Sequence, residues 1–217
     1  MRGSSSHRMQ PRGFFLTLEG GDGAGKSTLL AGLAERLRRR GREVLSTREP
    51  GGCPLAESVR QILLGHHEGL PIQPQAELLL FLAARAQHLT EQVRPALQAG
   101  VAVLCDRYND SSVAYQGYGR GLPVPEVEQL CYLATGGLEP DLTFYLDLSP
   151  EQGLSRARRH GEPDRMEKEE IGFHQRVRMG YLDLAQRHPG RIVVLAAIDP
   201  PEQIVEKAWR ELERRLP

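Results

Sequence analysis

Apolar positions along the chain follow two alternating patterns, short continuous runs and longer stretches in which leucine recurs every three or four residues. The first run, Phe14 to Glu19, ends in a glycine-rich turn, and Ser27 to Arg40 then places leucine at 29, 30, 33 and 37 before Gly41 stops the repeat. The order is strand, loop, helix. Glu43 to Thr47 and Val101 to Cys105 read as second and third strands. Between them, helical spacing predicts one helix over Pro54 to Leu64 and another over Gln75 to Arg94, close to Pro95. Leu142 to Leu146 and Arg191 to Leu195 complete five strands. Each of these last two runs into a helix start, Ser149-Pro150-Glu151-Gln152 and Asp199-Pro200-Pro201-Glu202, with a capping side chain first and an acid or amide three residues on. Strands alternating with helices predict an α/β fold, a five-stranded, mainly parallel sheet with helices on both faces. Ligands of such sheets lie at the carboxyl ends of the strands.

Composition narrows the picture. A chain of 217 residues, 40% hydrophobic and 26% charged, carries enough apolar material for one core, so a single domain is expected over residues 13–217. Residues 1–12 are polar and arginine-rich and read as a flexible leader or tag remnant, with Met9 an alternative start. Lys+Arg 28 balances Asp+Glu 28, so no global basic field exists for nucleic acid or an anionic membrane, and any anion site must be local. No apolar run approaches the roughly 18 residues that span a bilayer, and the start lacks the apolar middle of a secretion signal. A cytoplasmic protein is expected. Cys53, Cys105 and Cys131 are odd in number and far apart, which fits reduced thiols.

Gly20-Gly21-Asp22-Gly23-Ala24-Gly25-Lys26-Ser27 fits G-x-x-x-x-G-K-[S/T] and lies between the first strand and the first helix, the context that gives this motif its meaning. Glycines let backbone N–H groups turn inward around a phosphate chain, and the helix that follows points its positive end at the same anion. Lys26 would reach the terminal phosphates, and Ser27 would offer a hydroxyl to Mg²⁺.

The other strand ends carry charge. Strand two runs into Arg48-Glu49-Pro50-Gly51-Gly52 and strand three into Asp106-Arg107-Tyr108, so two arginines and a carboxylate converge where the cradle opens. A second anionic ligand is one reading, and an ion pair tying the strand ends together is the other. Arg156 to Arg165 is an arginine-rich stretch interrupted by Gly161 and Pro163, able to close as a lid over about 156–168 and exclude water during phosphoryl transfer. A solvated arginine face is its plainer reading.

Together these features resemble bacterial thymidylate kinases: the cradle, the segment from Arg48, Phe81-Leu82-Ala83-Ala84-Arg85, the Asp106-Arg107-Tyr108 turn followed by Ser111 to Gln116, and the lid. The resemblance extends from about Phe14 to the end. It implies a P-loop nucleotide kinase fold, transfer of the γ-phosphoryl group of ATP to dTMP for dTTP synthesis, Mg²⁺ as cofactor, and a homodimer without direct nucleic-acid binding. Lys26 and the Gly23 to Thr28 backbone would hold ATP, with Asp22 near the acceptor sugar. Arg48 and Arg107 would grip the acceptor phosphate beside Asp106, which orders Mg²⁺. Phe81 would stack on thymine; Arg85, Ser111, Ser112 and Gln116 would offer polar contacts; Tyr115 would stand where a 2'-hydroxyl would be. Because Gly23 occupies the loop position in which some members carry the catalytic arginine, the lid must supply it, from Arg156, Arg158 or Arg165. Lids of this family usually carry arginine just before the glycine, where this chain has His160.

A monophosphate oxygen is already anionic, so such a reaction needs no protein base. A deoxynucleoside kinase would need one, with Glu49 the evident candidate, and another nucleoside monophosphate kinase remains open. A nucleotide-dependent switch would keep the cradle without an acceptor pocket. The histidines His66, His67, His88, His174 and His188 show no metal-ligand spacing and read as surface or helix residues.

Overall fold

In the computed structural model five strands pair in the order β2-β3-β1-β4-β5. They are β1 (Phe15–Glu19), β2 (Val44–Arg48), β3 (Ala102–Asp106), β4 (Leu142–Asp147) and β5 (Ile192–Ala196), and every neighbouring pair is parallel. Residues 13–65, 71–159 and 162–216 are described; the expected leader, His66, His67 and His160 lie outside them. β1 is central, with Leu16 registered against Leu104 on one side and Leu142 on the other. Its residues are buried throughout because both faces are covered, which is why this strand reads as a continuous apolar run.

Nine α-helices cover the sheet among the described residues: α1 (Lys26–Arg39), α2 (Pro54–Leu64), α3 (Pro74–His88), α4 (Arg94–Gln98), α5 (Asn109–Ser112), α6 (Val124–Thr135), α7 (Pro150–Ala157), α8 (Ile171–Arg187) and α9 (Pro201–Glu213). On one face Leu29, Leu33 and Leu37 of α1 meet Trp209 and Leu212 of α9 over Leu16, Leu18 and Phe144. On the other, α3, α6 and α8 bring Leu82, Val127, Phe173 and Tyr181 into one cluster. Cutting a buried leucine here to alanine costs about 2–5 kcal/mol.

Two expectations are corrected. The helix expected to run unbroken from Gln75 to Arg94 is α3, then a π-helical turn at Leu89–Val93, then α4. Pro95 has no N–H to donate and its ring would collide with the carbonyl one turn back, so the ladder widens before it. Asp199 does not cap α9: Pro200 takes that position and the Asp199 carboxylate pairs with Lys207 at 2.6 Å. Ser149 does cap α7, accepting from the Gln152 N–H at 3.4 Å. Helices α5, α6 and α8 went unread, as did a π-helical segment Val113–Gly119 that continues α5. That segment holds two glycines and two tyrosines without a leucine repeat. It exists because α8 packs against it closely: a Cβ on Gly119 would lie 2.7 Å from the Phe173 ring.

Candidate active site

The cradle forms where β1 gives way to α1. Gly25 starts the helix at φ 94, and Gly23 adopts φ 71 with a Cβ position only 2.1 Å from the Gly153 carbonyl oxygen, so the loop sits directly on the backbone of α7. Gly20 and Ala24 are buried beneath it, while Ser27 and Thr28 face outward. Lys26 Nζ donates to the Gly20 and Gly21 carbonyls at 3.1 and 3.0 Å. Burial, and then the neighbouring Arg107, push the Lys26 pKa down, against the pull of Asp106, Asp22 and Glu19. The loop floors a broad cleft that reaches Arg156, Ala197 and Asp199 at one end and Arg48, Arg60 and Arg107 at the other.

At the sheet edge Asp106 stands beside Ser27, with 3.4 Å between Ser27 Oγ and Asp106 Oδ2. Asp106 Oδ1 is buried without a hydrogen-bond partner. Two carboxylate oxygens, one of them unpaired, and a hydroxyl make an all-oxygen donor set that fits a hard cation such as Mg²⁺.

Arg107 leaves β3 at φ 73, a left-handed conformation uncommon outside glycine. The bonds that hold it there are numerous. Its backbone N–H donates to Leu18, the Tyr108 N–H donates to Glu19 Oε1 at 2.7 Å, and Cys105 Sγ donates to the Arg107 carbonyl. The guanidinium donates to the Gly20 carbonyl at 3.0 Å and to Asp22 at 2.5 Å, over the face of the Tyr115 ring at 5.0 Å. Burial opposes ionisation of Asp22, but Arg107 and then Lys26 outweigh it and hold the carboxyl below the usual aspartate range. Ser111 and the Tyr181 hydroxyl lie behind Arg107 and both donate to Glu19 Oε2, at 2.5 and 3.2 Å. Burial first, then Asp110, raise Glu19 to about 7 against the hydrogen bond from Ser111.

A second, narrower cavity opens next to the cleft. Asp22, Glu49, Arg60 and Arg107 line both, while Phe81, Arg85, Ser111, Ser112, Tyr115 and Gln116 line the narrower one. The strand-end residues and the helix segments named from sequence therefore do converge. Phe81 is half-buried against the cavity instead of lying in the core. The Tyr115 hydroxyl is 3.5 Å from Asp22 Oδ2. Arg85 is almost wholly committed to protein: its guanidinium donates to Glu49 at 2.6 Å, Ser112 at 3.0 Å, Asn109 at 3.1 Å and the Tyr108 carbonyl at 3.0 Å. Glu49 also meets His88 Nδ1 at 3.0 Å, and His88 Nε2 meets Thr47 at 2.8 Å. His88 is thus buried and structural, and His174 is buried too, although both lie in helices as expected.

Three expected site residues are placed elsewhere. Arg48 is exposed, forks onto both oxygens of Glu57 at 3.1 Å, and lines the broad cleft but not the narrower cavity. Arg60 of α2 stands at the shared wall in its place, donating to the Pro50 carbonyl at 2.9 Å. Arg158 is exposed and outside the cleft lining, which holds Arg156 and Arg159. Arg165 turns away, donating to the Leu63 carbonyl at 2.7 Å and pairing with Glu77 at 2.6 Å. Sequence reading missed Arg60, Glu77 and Asp164. Arg60 had one signal: it stands two turns into the helix that follows Arg48 to Gly52 directly, so that face returns to the strand end. Asp164 and Met166 close the narrower cavity, in a turn whose N–H groups at Met166 and Glu167 donate to Asp164 Oδ1 at 2.8 and 2.9 Å.

A phosphate loop and a second cavity sharing one wall of arginines occur together in nucleotide kinases, and a sequence-family model described as "Thymidylate kinase" matches residues 18–208. The chain belongs to the thymidylate kinase family. Among curated relatives it is 50% identical over 204 residues to a thymidylate kinase of Deinococcus radiodurans, covering 94% of this chain and 98% of that one. It is 48% identical over 211 residues to a thymidylate kinase of Protochlamydia amoebophila, covering 94% of each. Among solved structures, the thymidylate kinase of Ehrlichia chaffeensis superposes with a TM-score of 0.76 at 34% identity, covering 93% of this chain and 99% of that one. Members of the family are ATP-dependent, Mg²⁺-requiring phosphotransferases, and the loop, the Ser27 and Asp106 oxygens and the helical cover follow that design.

Proposed function

We propose that the two cavities divide one phosphoryl transfer between them, ATP lying over the Lys26 loop in the broad cleft and dTMP filling the narrower cavity. Arg107 carries this reading. Its guanidinium lines both spaces, so a single cation faces the donor and acceptor phosphates together. Around it Lys26, Arg48 and Arg60 crowd closely enough that Arg60, already disfavoured by burial, is pushed down further by Arg48. Cations packed this way are relieved by an anion between them.

An acceptor phosphate oxygen attacks the γ-phosphorus, the bond to the β–γ bridging oxygen breaks, and ADP leaves with the electron pair. No protein base takes part, because the attacking oxygen is already anionic. Glu49, the one candidate base, has both oxygens taken by Arg85 and His88, which argues against a deoxynucleoside kinase. Arg60 and Arg107 hold the acceptor phosphate, Arg60 doing what sequence assigned to Arg48. Lys26 and the loop N–H groups hold the donor, and Ser27 and Asp106 would hold Mg²⁺. Mg²⁺, when bound, offsets charge on the donor phosphates. Phe81 offers its ring to thymine, Arg85, Ser112 and Gln116 face the base edge, and Tyr115 with Asp22 borders the sugar. Arg156 and Arg159 supply lid charge, with the Ala197 to Asp199 turn at the adenine end.

ADP release in a coupled assay tests the reading. Turnover that depends on dTMP is expected; phosphorylation of thymidine but not dTMP, or ADP formation indifferent to dTMP, overturns it.

Leu55 and Ile62 of α2, Leu79 of α3, and Tyr132 and Leu133 of α6 are exposed on three helices that pack side by side. A second copy of this chain is the proposed occupant of that apolar surface. Leu133→Glu is expected to turn a sedimenting dimer into a monomer. No helix among the described residues is long and apolar enough to cross a membrane, and all three cysteines are free and buried, which supports the cytoplasm as location.

A further inference from the structure

Glu77 is a carboxylate with no exposure at all, on α3 one turn before Phe81. Its oxygens accept from three nitrogens, Gln116 Nε2 at 2.9 Å and Arg120 Nε and Nη2 at 3.1 Å each, and Arg165 Nη2 completes the setting as an ion pair at 2.6 Å. Burial alone would neutralise it, but the bonds from Arg120 and Gln116 outweigh burial and keep its pKa below the ordinary glutamate value. Arg120 is held in turn by Glu169 at 2.6 Å, and Arg165 by the Leu63 carbonyl. The arrangement accounts for an arginine that the phosphate cleft does not use.

An ionised carboxylate only accepts hydrogen bonds. The Gln116 atom that faces it must therefore be the NH₂ group, which removes the two-fold choice an amide ordinarily has and leaves Oε1 as the group available on the other side. Gln116 is 1% exposed and lines the narrower cavity. An acceptor presented there suits a base with an N–H at position 3, as in thymine and uracil, and repels cytosine, whose N3 carries a lone pair.

We propose that Glu77 is a specificity-determining positioning residue: by fixing the orientation of the Gln116 amide it selects acceptor bases that donate at N3. The inference rests on the acceptor-site reading above. Glu77 touches no substrate and acts through Gln116. Arg120 and Arg165 maintain its charge, and through them the turn around Asp164 is tied to the same carboxylate that sets the base reader.

The matched probes are dTMP and 5-methyl-dCMP, which differ only along the N3 and C4 edge. Binding by calorimetry and kcat/KM are measured for the parent, Glu77→Gln, Gln116→Leu and the double variant. A glutamine at 77 can offer either amide group to Gln116, so the lock is lost while size is kept. The preference for dTMP is expected to fall about tenfold or more in Glu77→Gln. The change should appear in the KM for dTMP, with the KM for ATP within about twofold of the parent, as for a group that does not meet the donor. In the Gln116→Leu background, Glu77→Gln should change the preference no further. A Glu77→Gln protein that keeps the parental preference, or a Glu77→Gln change that costs as much preference in the Gln116→Leu background as in the parent, overturns the proposal. A parent that binds dTMP no better than a buffer blank overturns the acceptor-site reading instead. Where Glu77→Gln melts too low to assay, adding Arg165→Gln removes the cation left without its carboxylate and the same ratio is read.

Discussion

Arg107→Ala is the sharpest perturbation of this site. The guanidinium is the point at which two cavities meet, and it donates to Asp22 at 2.5 Å and to the Gly20 carbonyl at 3.0 Å. Burial disfavours its charge, yet Tyr115 and Asp22 raise its pKa above the ordinary arginine value, so it is a permanent cation. A guanidinium that grips a phosphate through two charge-assisted bonds contributes about 1.5–3 kcal/mol per bond. Two such bonds give about 3–6 kcal/mol, or about 10²–10⁴ in kcat/KM for dTMP. The assay is ADP release with dTMP varied at saturating ATP, alongside calorimetric titration of dTMP. Arg107→Lys should restore little, because one ammonium cannot span the acceptors a planar fork reaches. A kcat/KM for dTMP within about threefold of the parent would refute the shared-wall argument.

Three further outcomes follow from the geometry. Gly23→Ala should lower stability by about 2 kcal/mol or more and weaken ATP binding, since a Cβ at φ 71 would meet the Gly153 carbonyl; calorimetric melting and ATP titration check it, and an unchanged melt refutes it. Arg85→Met should leave the buried Glu49 carboxylate with one oxygen unpaired and His88 as its remaining partner, at a cost of about 3–5 kcal/mol, read as a melting point lower by about 10 °C, and a loss under about 2 °C would contradict that. Glu19 titrates near 7 when folded against 4.5 in a free chain, so the folded state holds the extra proton and stability falls as pH rises between those values. Urea unfolding at pH 5, 6 and 7 should therefore show a declining stability that Glu19→Gln lacks, by about 2 kcal/mol from pH 5 to pH 7; parallel slopes would dismiss the idea.

Parts of this molecule were legible without any tertiary information, and the reason is local. A phosphate loop is one contiguous stretch whose glycines, lysine and hydroxyl do their work through backbone geometry between a strand and the helix that follows, so Gly20 to Ser27 could be read in full. β1, β3 and β4 announced themselves because each is short, apolar and covered on both faces, whereas the edge strands β2 and β5 are partly exposed. Arg107 could be placed at a strand end from the direction of the strand, whereas Phe81 and Gln116 were named through the family resemblance; all three line the narrower cavity.

Other assignments depended on which side chains find each other across the fold. Arg48 and Arg60 are both cations within reach of one strand end, and only the packing of α2 put Glu57 in front of one and left the other at the shared wall. Arg165 belongs to an arginine-rich stretch in sequence, yet a buried carboxylate far earlier in the chain, Glu77, draws it away from the broad cleft. The π-helical segment that presents Tyr115 and Gln116 has no periodicity of its own and is set by close contact with α8. Short-range backbone preference lies within a few neighbours and can be read along the chain, whereas the partner of a buried charge is chosen by proximity in space, which the linear order does not contain.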